Sequence, residues 1–185
     1  MKKLAIVIAT APLLLAGASE RARIASAAIA QVGVTKIYDS SYAQLRYPGG
    51  DVPLERGVCA DVVVRAFRAA GVDLQVAVHD DMRRNFRAYP QMWGLRRADA
   101  NIDHRRVPNL MRFFERHGKA VAITRAYETG DVVAWMLPNG LYHIGVISPS
   151  QNATRSGPLV VHNIGYGAQD EDVLHALRII GHYRW

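Results

Sequence analysis

The sequence has 185 residues, of which 50% are hydrophobic and 21% are charged, so its composition is that of a globular protein rather than a disordered or fibrous one. Lys and Arg outnumber Asp and Glu by 23 to 16, and the formal net charge of +7 favours an anionic partner such as an acidic cell-wall polymer or a membrane surface. The chain carries no nucleic-acid-binding motif, so nucleic acid is excluded as the expected partner.

Residues 1–18 have the features of a secretory signal peptide. Two lysines precede an apolar run from Leu4 to Leu15, which is too short to span a bilayer as a helix. The small residues Ala16-Gly17-Ala18 then form a cleavage site. We therefore predict a periplasmic or secreted protein in which residues 19–185 form a single domain, with no transmembrane segment after signal removal.

The first half of the mature chain is predicted to be mainly helical. Apolar residues at helical spacing, together with Pro and Gly at the expected ends, predict four helices. These are Glu20–Val32, a helix that starts at or next to Cys59 and stops near Gly71, Val78–Tyr89, and Pro108–His117. The segments Tyr38–Arg46 and Gln91–Arg106 are predicted to be irregular.

The C-terminal third changes from helices to closely spaced strands separated by turn residues. The predicted strands are Val132–Met136, Leu141–Ser148, Pro158–Asn163 and at least one more within Val173–Trp185. Short connections of this kind are typical of an antiparallel, curled sheet. Helices followed by strands indicate the α+β class.

Cys59 is the only cysteine in the chain, and it lies in the first turn of a predicted helix. Unsatisfied N–H groups and the helix dipole favour the thiolate there, so we predict a thiol pKa below the usual value of about 8.5. Asp61, in the same turn, would raise this pKa, but it is interpreted as a helix-start residue that bonds backbone N–H groups. The alternative is that Cys59 is a small buried residue without reactivity.

Two histidines on predicted strands complete a possible constellation. In the second strand His143 and Gly145 share a face, and the missing side chain of Gly145 would let the Cys59 helix approach. We predict that Cys59 Sγ lies within hydrogen-bonding reach of His143 and that His162, on the next strand, orients His143. Asn163 is the alternative orienting residue, although it lies on the opposite face from His162. Each histidine alone is more often a buried residue with satisfied hydrogen bonds.

Charged clusters lie between these two regions. His79-Asp80-Asp81 and Asp103-His104 contain metal-ligand residue types, but their spacing matches no closed metal motif. We interpret them as capping and salt-bridge residues, and we predict neither a metal nor another cofactor. The arginine-rich segment Arg83–Arg106 is either a solvated face or an insertion that binds acidic substrate groups. If it binds substrate, we predict that one or more of Arg96, Arg97, Arg105 and Arg106 faces a substrate cleft between the Cys59 helix and the strands that carry His143 and His162.

These motifs resemble the NlpC/P60 cysteine peptidases of the papain-like superfamily. The matching residues are Tyr47, Gly49-Gly50, Cys59, Gly130-Asp131, His143-Ile144-Gly145 and His162. The whole mature chain resembles the DUF1287 family of exported bacterial proteins more closely, through YPGGDVP, GVC-x-D, NIDHRRVPNL and HNIG. The sequence around the nucleophile, Val58-Cys59-Ala60-Asp61, departs from the Asp-Cys-Ser-Gly that NlpC/P60 proteins usually show.

The resemblance implies a papain-like fold in which a helical N-terminal half packs on a small antiparallel barrel-like sheet. It also implies a periplasmic cysteine hydrolase, a peptidase or amidase, that acts on peptidoglycan stem peptides through Cys59, His143 and His162. The Tyr47 hydroxyl and the Cys59 N–H would stabilise the oxyanion. The role of Arg105 as a substrate contact is predicted from the arginine-rich segment and not from this resemblance. Two alternatives remain open: a non-catalytic cell-wall binding module, and acyl or peptide transfer through a thioester.

Overall fold

The computed structural model describes the backbone of residues 11–185 and the side chains of residues 19–185. The first ten residues of the predicted signal peptide therefore lie outside the described part. Among the described helices, none is both long and apolar enough to cross a membrane.

Within residues 11–185, four α-helices and two 3₁₀ turns precede the sheet. The helices are α1 (Ala11–Ile29), α2 (Cys59–Ala69), α3 (Leu74–Asn85) and α4 (Val107–Arg116), and the 3₁₀ turns are Phe86–Ala88 and Asp103–Arg105.

The start of α3 differs from the predicted start at Val78. Asp73 caps this helix, because its Oδ1 accepts a hydrogen bond of 3.0 Å from the N–H of Gln75. His79 and its two acidic neighbours consequently lie in the middle of the helix instead of in its first turn.

The strands form one five-stranded antiparallel sheet and one very short parallel pair. The pair is β1 (Ile37–Tyr38) with β2 (Arg56–Gly57), and the sheet contains β3 (Val132–Met136), β4 (Tyr142–Gln151), β5 (Pro158–Asn163), β6 (Ala168–Glu171) and β7 (Arg178–Tyr183). The α+β class is confirmed. The order β6-β5-β4-β3-β7 leaves two separate edges, so the sheet is open and the expected barrel is not formed.

Each face of this sheet packs against its own hydrophobic core. The large core lies between the sheet and the helices and includes Cys59, Phe67, Phe114, Ile144, Val146 and Val161. The small core lies on the other face and consists of Val133, Trp135, Ile147, Val160 and Leu174. Neighbouring residues of a strand thus enter different cores, as side-chain alternation requires.

Candidate functional site

The start of α2 is held in place by a buried ion pair. Asp61 Oδ2 accepts a hydrogen bond of 2.7 Å from the N–H of Val58, which confirms its interpretation as a helix-start residue. The Arg105 guanidinium donates to both oxygens of the Asp61 carboxylate at 2.9 Å. Asn163 donates from Nδ2 to the carbonyl of Gly57 at 3.0 Å, which ties the loop before Cys59 to β5. Arg105 and Asn163 therefore position the helix that carries the thiol.

The Cys59 thiol is buried, with 4% of the residue exposed. Burial raises the pKa of this thiol to about 12, and the negative charge of Asp61 acts in the same direction. The N–H groups of Ile144, Ala60 and Cys59 itself lower the pKa, but they do not offset the loss of water. The predicted low thiol pKa is therefore wrong, because burial outweighs the effect of the helix start.

On the other face of the sheet, His143, His162 and Glu171 form a hydrogen-bonded chain. His143 Nε2 lies 2.9 Å from His162 Nδ1, and His162 Nε2 lies 2.9 Å from Glu171 Oε2. Both histidines are almost completely buried, and the His143 ring stacks on Trp135 with 5.5 Å between ring centroids. The predicted contact between the two histidines is thus present.

Glu171 is a member of this chain that the sequence reasoning missed. It lies on β6, a strand whose residues AQDE are too polar to suggest a strand. Its register partner on β5 is Val160, which places Glu171 on the same face as His162. In the sequence, Glu171 lies nine residues after His162. That separation is enough for the chain to turn back and pair with β5, as it does in the structure.

The hydrogen bonds between Glu171, His162 and His143 determine which nitrogen of His143 can act as a base. An ionised Glu171 carboxylate only accepts hydrogen bonds, so His162 Nε2 carries a proton and, in the neutral ring, His162 Nδ1 accepts. His143 must then donate from Nε2, which leaves Nδ1 unprotonated. Within residues 19–185, His143 Nδ1 forms no hydrogen bond.

Both imidazoles are uncharged at neutral pH. Burial lowers the pKa of His143 to about 3, and the neighbouring His162 contributes in the same direction. Burial also lowers the pKa of His162, although Glu171 opposes this shift. The resting protein thus holds a neutral thiol and a neutral imidazole.

The predicted hydrogen bond between Cys59 and His143 is absent from the described residues. His143 is paired with Trp135 across β3 and β4 and so projects toward the small core, whereas Cys59 belongs to the large core. Ile144, the residue after His143, belongs to the same core as Cys59, and its backbone N–H lowers the pKa of the thiol. The Cys59 thiol and the His143 ring therefore lie on opposite sides of the sheet.

Gly145 does not serve to admit α2, as the sequence had suggested. A Cβ atom at this position would lie 2.8 Å from Cγ1 of Val160 and 2.9 Å from the carbonyl oxygen of Val161. Both atoms belong to β5. The missing side chain therefore makes room for the neighbouring strand and for the small core.

A cavity of about 430 Å³ opens beside Cys59. Its walls come from the loop before α2, the segment before α4 and the turn before β4, and include Tyr38, Tyr42, Cys59, Met92, Trp93, Arg105, Arg106, Leu141 and Tyr142. Among these residues, Tyr38 interacts electrostatically with the thiol. Burial is the largest cause that raises the pKa of Tyr38 to about 12, and the charges of Cys59 and Asp61 raise it further. Tyr47, the predicted oxyanion residue, is not in this lining; its hydroxyl donates to Asp80 at 3.2 Å.

The four arginines singled out by sequence divide between two places. Arg105 and Arg106 line the Cys59 cavity, whereas Arg96 and Arg97 line a second cavity. Arg105 is fully engaged with Asp61 and with the carbonyls of Ser41 and Asp39. Arg106 lies with its guanidinium carbon 4.3 Å from the Trp93 ring centroid, and its Nη1 is buried without a hydrogen-bond partner. Among the described residues that line this cavity, Arg106 is therefore the cation that remains available to a ligand.

The acidic-histidine clusters are used in internal contacts. His79 Nδ1 lies 3.0 Å from Asp103 Oδ2, and Asp81 accepts from Arg116 at 2.7 Å and from Tyr89 at 2.6 Å. Hydrogen bonding to Arg116 is the largest cause that lowers the pKa of Asp81, to about 2. Among residues 19–185, no three His, Cys, Asp or Glu side chains are grouped so that they could hold a metal ion.

Comparison with known proteins supports the closer of the two resemblances. A family described as "Domain of unknown function (DUF1287)" matches residues 25–185. The chain is also 57% identical over 166 residues to the "Uncharacterized protein YijF" of Escherichia coli (strain K12), covering 88% of this chain and 80% of that protein. No solved structure matches the chain significantly.

Proposed function

We propose that this chain, which belongs to the DUF1287 family, is an exported cysteine hydrolase that cleaves an amide bond in the peptide part of peptidoglycan. One observation supports the proposal: the hydrogen-bonded series Glu171–His162–His143 reaches β4 at the residue before Ile144, which shares the large core with Cys59. Export is inferred from residues 1–18, and the substrate class from the positive net charge and the likeness to NlpC/P60 motifs. A papain-like arrangement, with the nucleophile at a helix start and the base on a strand, belongs to the same proposal.

The first step of this reaction is general base catalysis, because the resting thiol and imidazole are both neutral. The thiol proton passes to His143 Nδ1 while the sulfur forms a bond to the carbonyl carbon of the amide. The positive charge on His143 is stabilised by His162, which Glu171 orients. An N–H at the start of α2 donates to the oxyanion, and one such donor contributes roughly 3 kcal/mol.

The second half of the reaction returns the protein to its starting state. His143 gives its proton to the leaving nitrogen as the carbon–nitrogen bond breaks, which leaves a thioester on Cys59. Water then attacks the thioester, releasing a carboxylic acid and restoring the thiol. Because the His143 ring projects into the small core and Cys59 lies in the large core, this reaction requires the His143 side chain to leave the small core and approach the start of α2 when substrate binds.

The test is incubation of the purified chain with peptidoglycan fragments, followed by mass analysis of the products. We expect wild type to add one water across an amide bond, giving a new amine and a new carboxylate. Cys59→Ser should produce none of this cleavage. Intact fragments after incubation with wild type would rule out the hydrolase.

A non-catalytic binding module is the second candidate, and the raised pKa of the buried Cys59 thiol favours it. This candidate predicts that wild type and Cys59→Ser bind the fragments with equal affinity and leave them intact. Transfer through a thioester is distinguished in the same experiment by adding an amino acid as acceptor. A transferase would join the acceptor to the new carboxyl group in place of water.

A further inference from the structure

A second cavity of about 800 Å³ lies between α3 and the loop that follows it. The side chains of Met82, Phe86 and Leu95 give it an apolar surface, and Arg83, Arg96 and Arg97 give it positive charge. Cavities that combine apolar walls with a few charged groups are typical of ligand sites.

Within residues 19–185, no carboxylate pairs with the arginines of this cavity, although its lining also contains one carboxylate. Arg83, Arg96 and Arg97 are exposed, and within residues 19–185 none of them forms a salt bridge or side-chain hydrogen bond. The acidic residue in the lining is Asp99, whose oxygens are occupied by internal donors. Its Oδ1 accepts from the N–H and the Nδ2 of Asn101 at 2.9 and 3.0 Å, and its Oδ2 accepts from a tyrosine hydroxyl.

That tyrosine is Tyr42, which lines both this second cavity and the cavity beside Cys59. Its hydroxyl donates to Asp99 at 3.0 Å and accepts from Asn101 at 2.8 Å, so the ring has a fixed position. The two cavities are therefore neighbours that share one wall.

We propose that the two cavities form one cleft for an acidic peptide, whose carboxylates bind Arg83, Arg96 and Arg97 while its backbone crosses Tyr42 toward Cys59. Arginine pairs with a carboxylate through two parallel hydrogen bonds, and the apolar wall fits the aliphatic part of a peptide. The identity of the cleaved bond rests on the proposed function, whereas peptide binding does not require the thiol.

The probe is the tripeptide acetyl-alanyl-glutamyl-alanine, which carries two carboxylates, compared with the uncharged acetyl-alanyl-glutaminyl-alanine amide. Calorimetric titration of the Cys59→Ser chain avoids turnover. We expect the acidic probe to bind at least tenfold more tightly than the neutral one. The double variant Arg96→Gln/Arg97→Gln should weaken the acidic probe at least tenfold, and added salt should weaken it in wild type.

The matched control is Arg125→Gln, because Arg125 is exposed and lines neither cavity. Its affinity should stay within twofold of the parent chain. Equal affinity of the double variant and the parent would overturn the proposal. Displacement of the peptide by equimolar inorganic phosphate would also overturn it, because the cavity would then be a general anion site.

Turnover of peptidoglycan fragments separates this proposal from the hydrolase itself. Arginine-dependent binding without cleavage by wild type would support the acidic-peptide cleft and end the hydrolase proposal. Cleavage with the same KM in wild type and in Arg96→Gln/Arg97→Gln would support the hydrolase and overturn the cleft.

Discussion

The two faces of the sheet differ in how they hold the polar groups of the proposed site. On the helix face, the charged residue in the same helical turn as Cys59 is paired, since Asp61 is bound by Arg105 and both are buried. On the opposite face the buried groups are the neutral imidazoles of His143 and His162. The carboxylate to which they are hydrogen-bonded in series, Glu171, has 46% of its side chain exposed. A strong internal ion pair thus fixes the helix that carries Cys59, whereas a series of hydrogen bonds that ends at the surface fixes His143.

The thiol and the imidazole are both uncharged at neutral pH for the same reason, because each is buried. Burial penalises any charge, so it raises the pKa of the Cys59 thiol and lowers the pKa of His143. The paired charges of the helix face cannot offset this because Asp61 has the wrong sign for stabilising a thiolate. The proposed reaction would therefore begin with an uncharged thiol and an uncharged imidazole.

The largest expected effect is on kcat/KM, and it comes from replacing His143 on the small-core face of the sheet. His143→Gln keeps a group that can bond to His162 but removes the base, so kcat/KM on peptidoglycan fragments should fall about 10³-fold, equivalent to ~4 kcal/mol. Steady-state kinetics measures this effect.

The matched control is His175→Gln, which changes an exposed histidine outside the chain of hydrogen bonds. Its kcat/KM should equal that of wild type. A His143→Gln protein that retains the wild-type rate would show that the base lies elsewhere.

The next largest effect is on the free energy of unfolding, and it comes from the Asp61–Arg105 ion pair on the helix face. Arg105→Ala leaves the Asp61 carboxylate buried without its partner, so the free energy of unfolding should fall by ~3 kcal/mol. Urea unfolding measures the change, and Arg125→Ala should alter it by no more than about 0.5 kcal/mol.

A double variant distinguishes the ion pair from lost packing. In an Asp61→Asn background the same Arg105→Ala change should be less destabilising, because no buried charge is left unpaired. An equal loss in both backgrounds would assign the effect to packing instead.

The contrast between the two faces could be predicted only in part. The bounds of β3 and β5 are as predicted, because apolar runs flanked by turn residues mark them clearly. Alternation also placed His143 with Gly145 and His162 with Val160. Both faces of this sheet are apolar, however, so alternation alone does not tell which face packs on α2.

Polar elements account for most of the remaining differences. The edge strand β6 is stabilised by backbone pairing with β5 and carries no apolar pattern, which is why Glu171 was missed. The start of α3 depends on the side chain of Asp73, whose capping role is visible only once the helix is in place. Arg105 was predicted to bind substrate, but a buried carboxylate 44 residues away occupies it.

The smallest expected effect compares how the two regions respond to acid. Burial lowers the pKa of His104, in the 3₁₀ turn before α4, to about 4, and its Nδ1 has no hydrogen-bond partner. Below the unfolded-state pKa of about 6.5 the unfolded chain binds a proton at this residue and the folded chain does not, so stability falls as the pH decreases from 6.5 to 4. At pH 5 this residue should contribute a loss of about 2 kcal/mol relative to pH 7. Urea unfolding of His104→Gln should show that much less pH dependence, whereas His175→Gln should follow wild type. If His104→Gln and wild type lose the same stability between pH 7 and pH 5, the buried histidines of the small core dominate the acid response, and His143 is the residue to replace next.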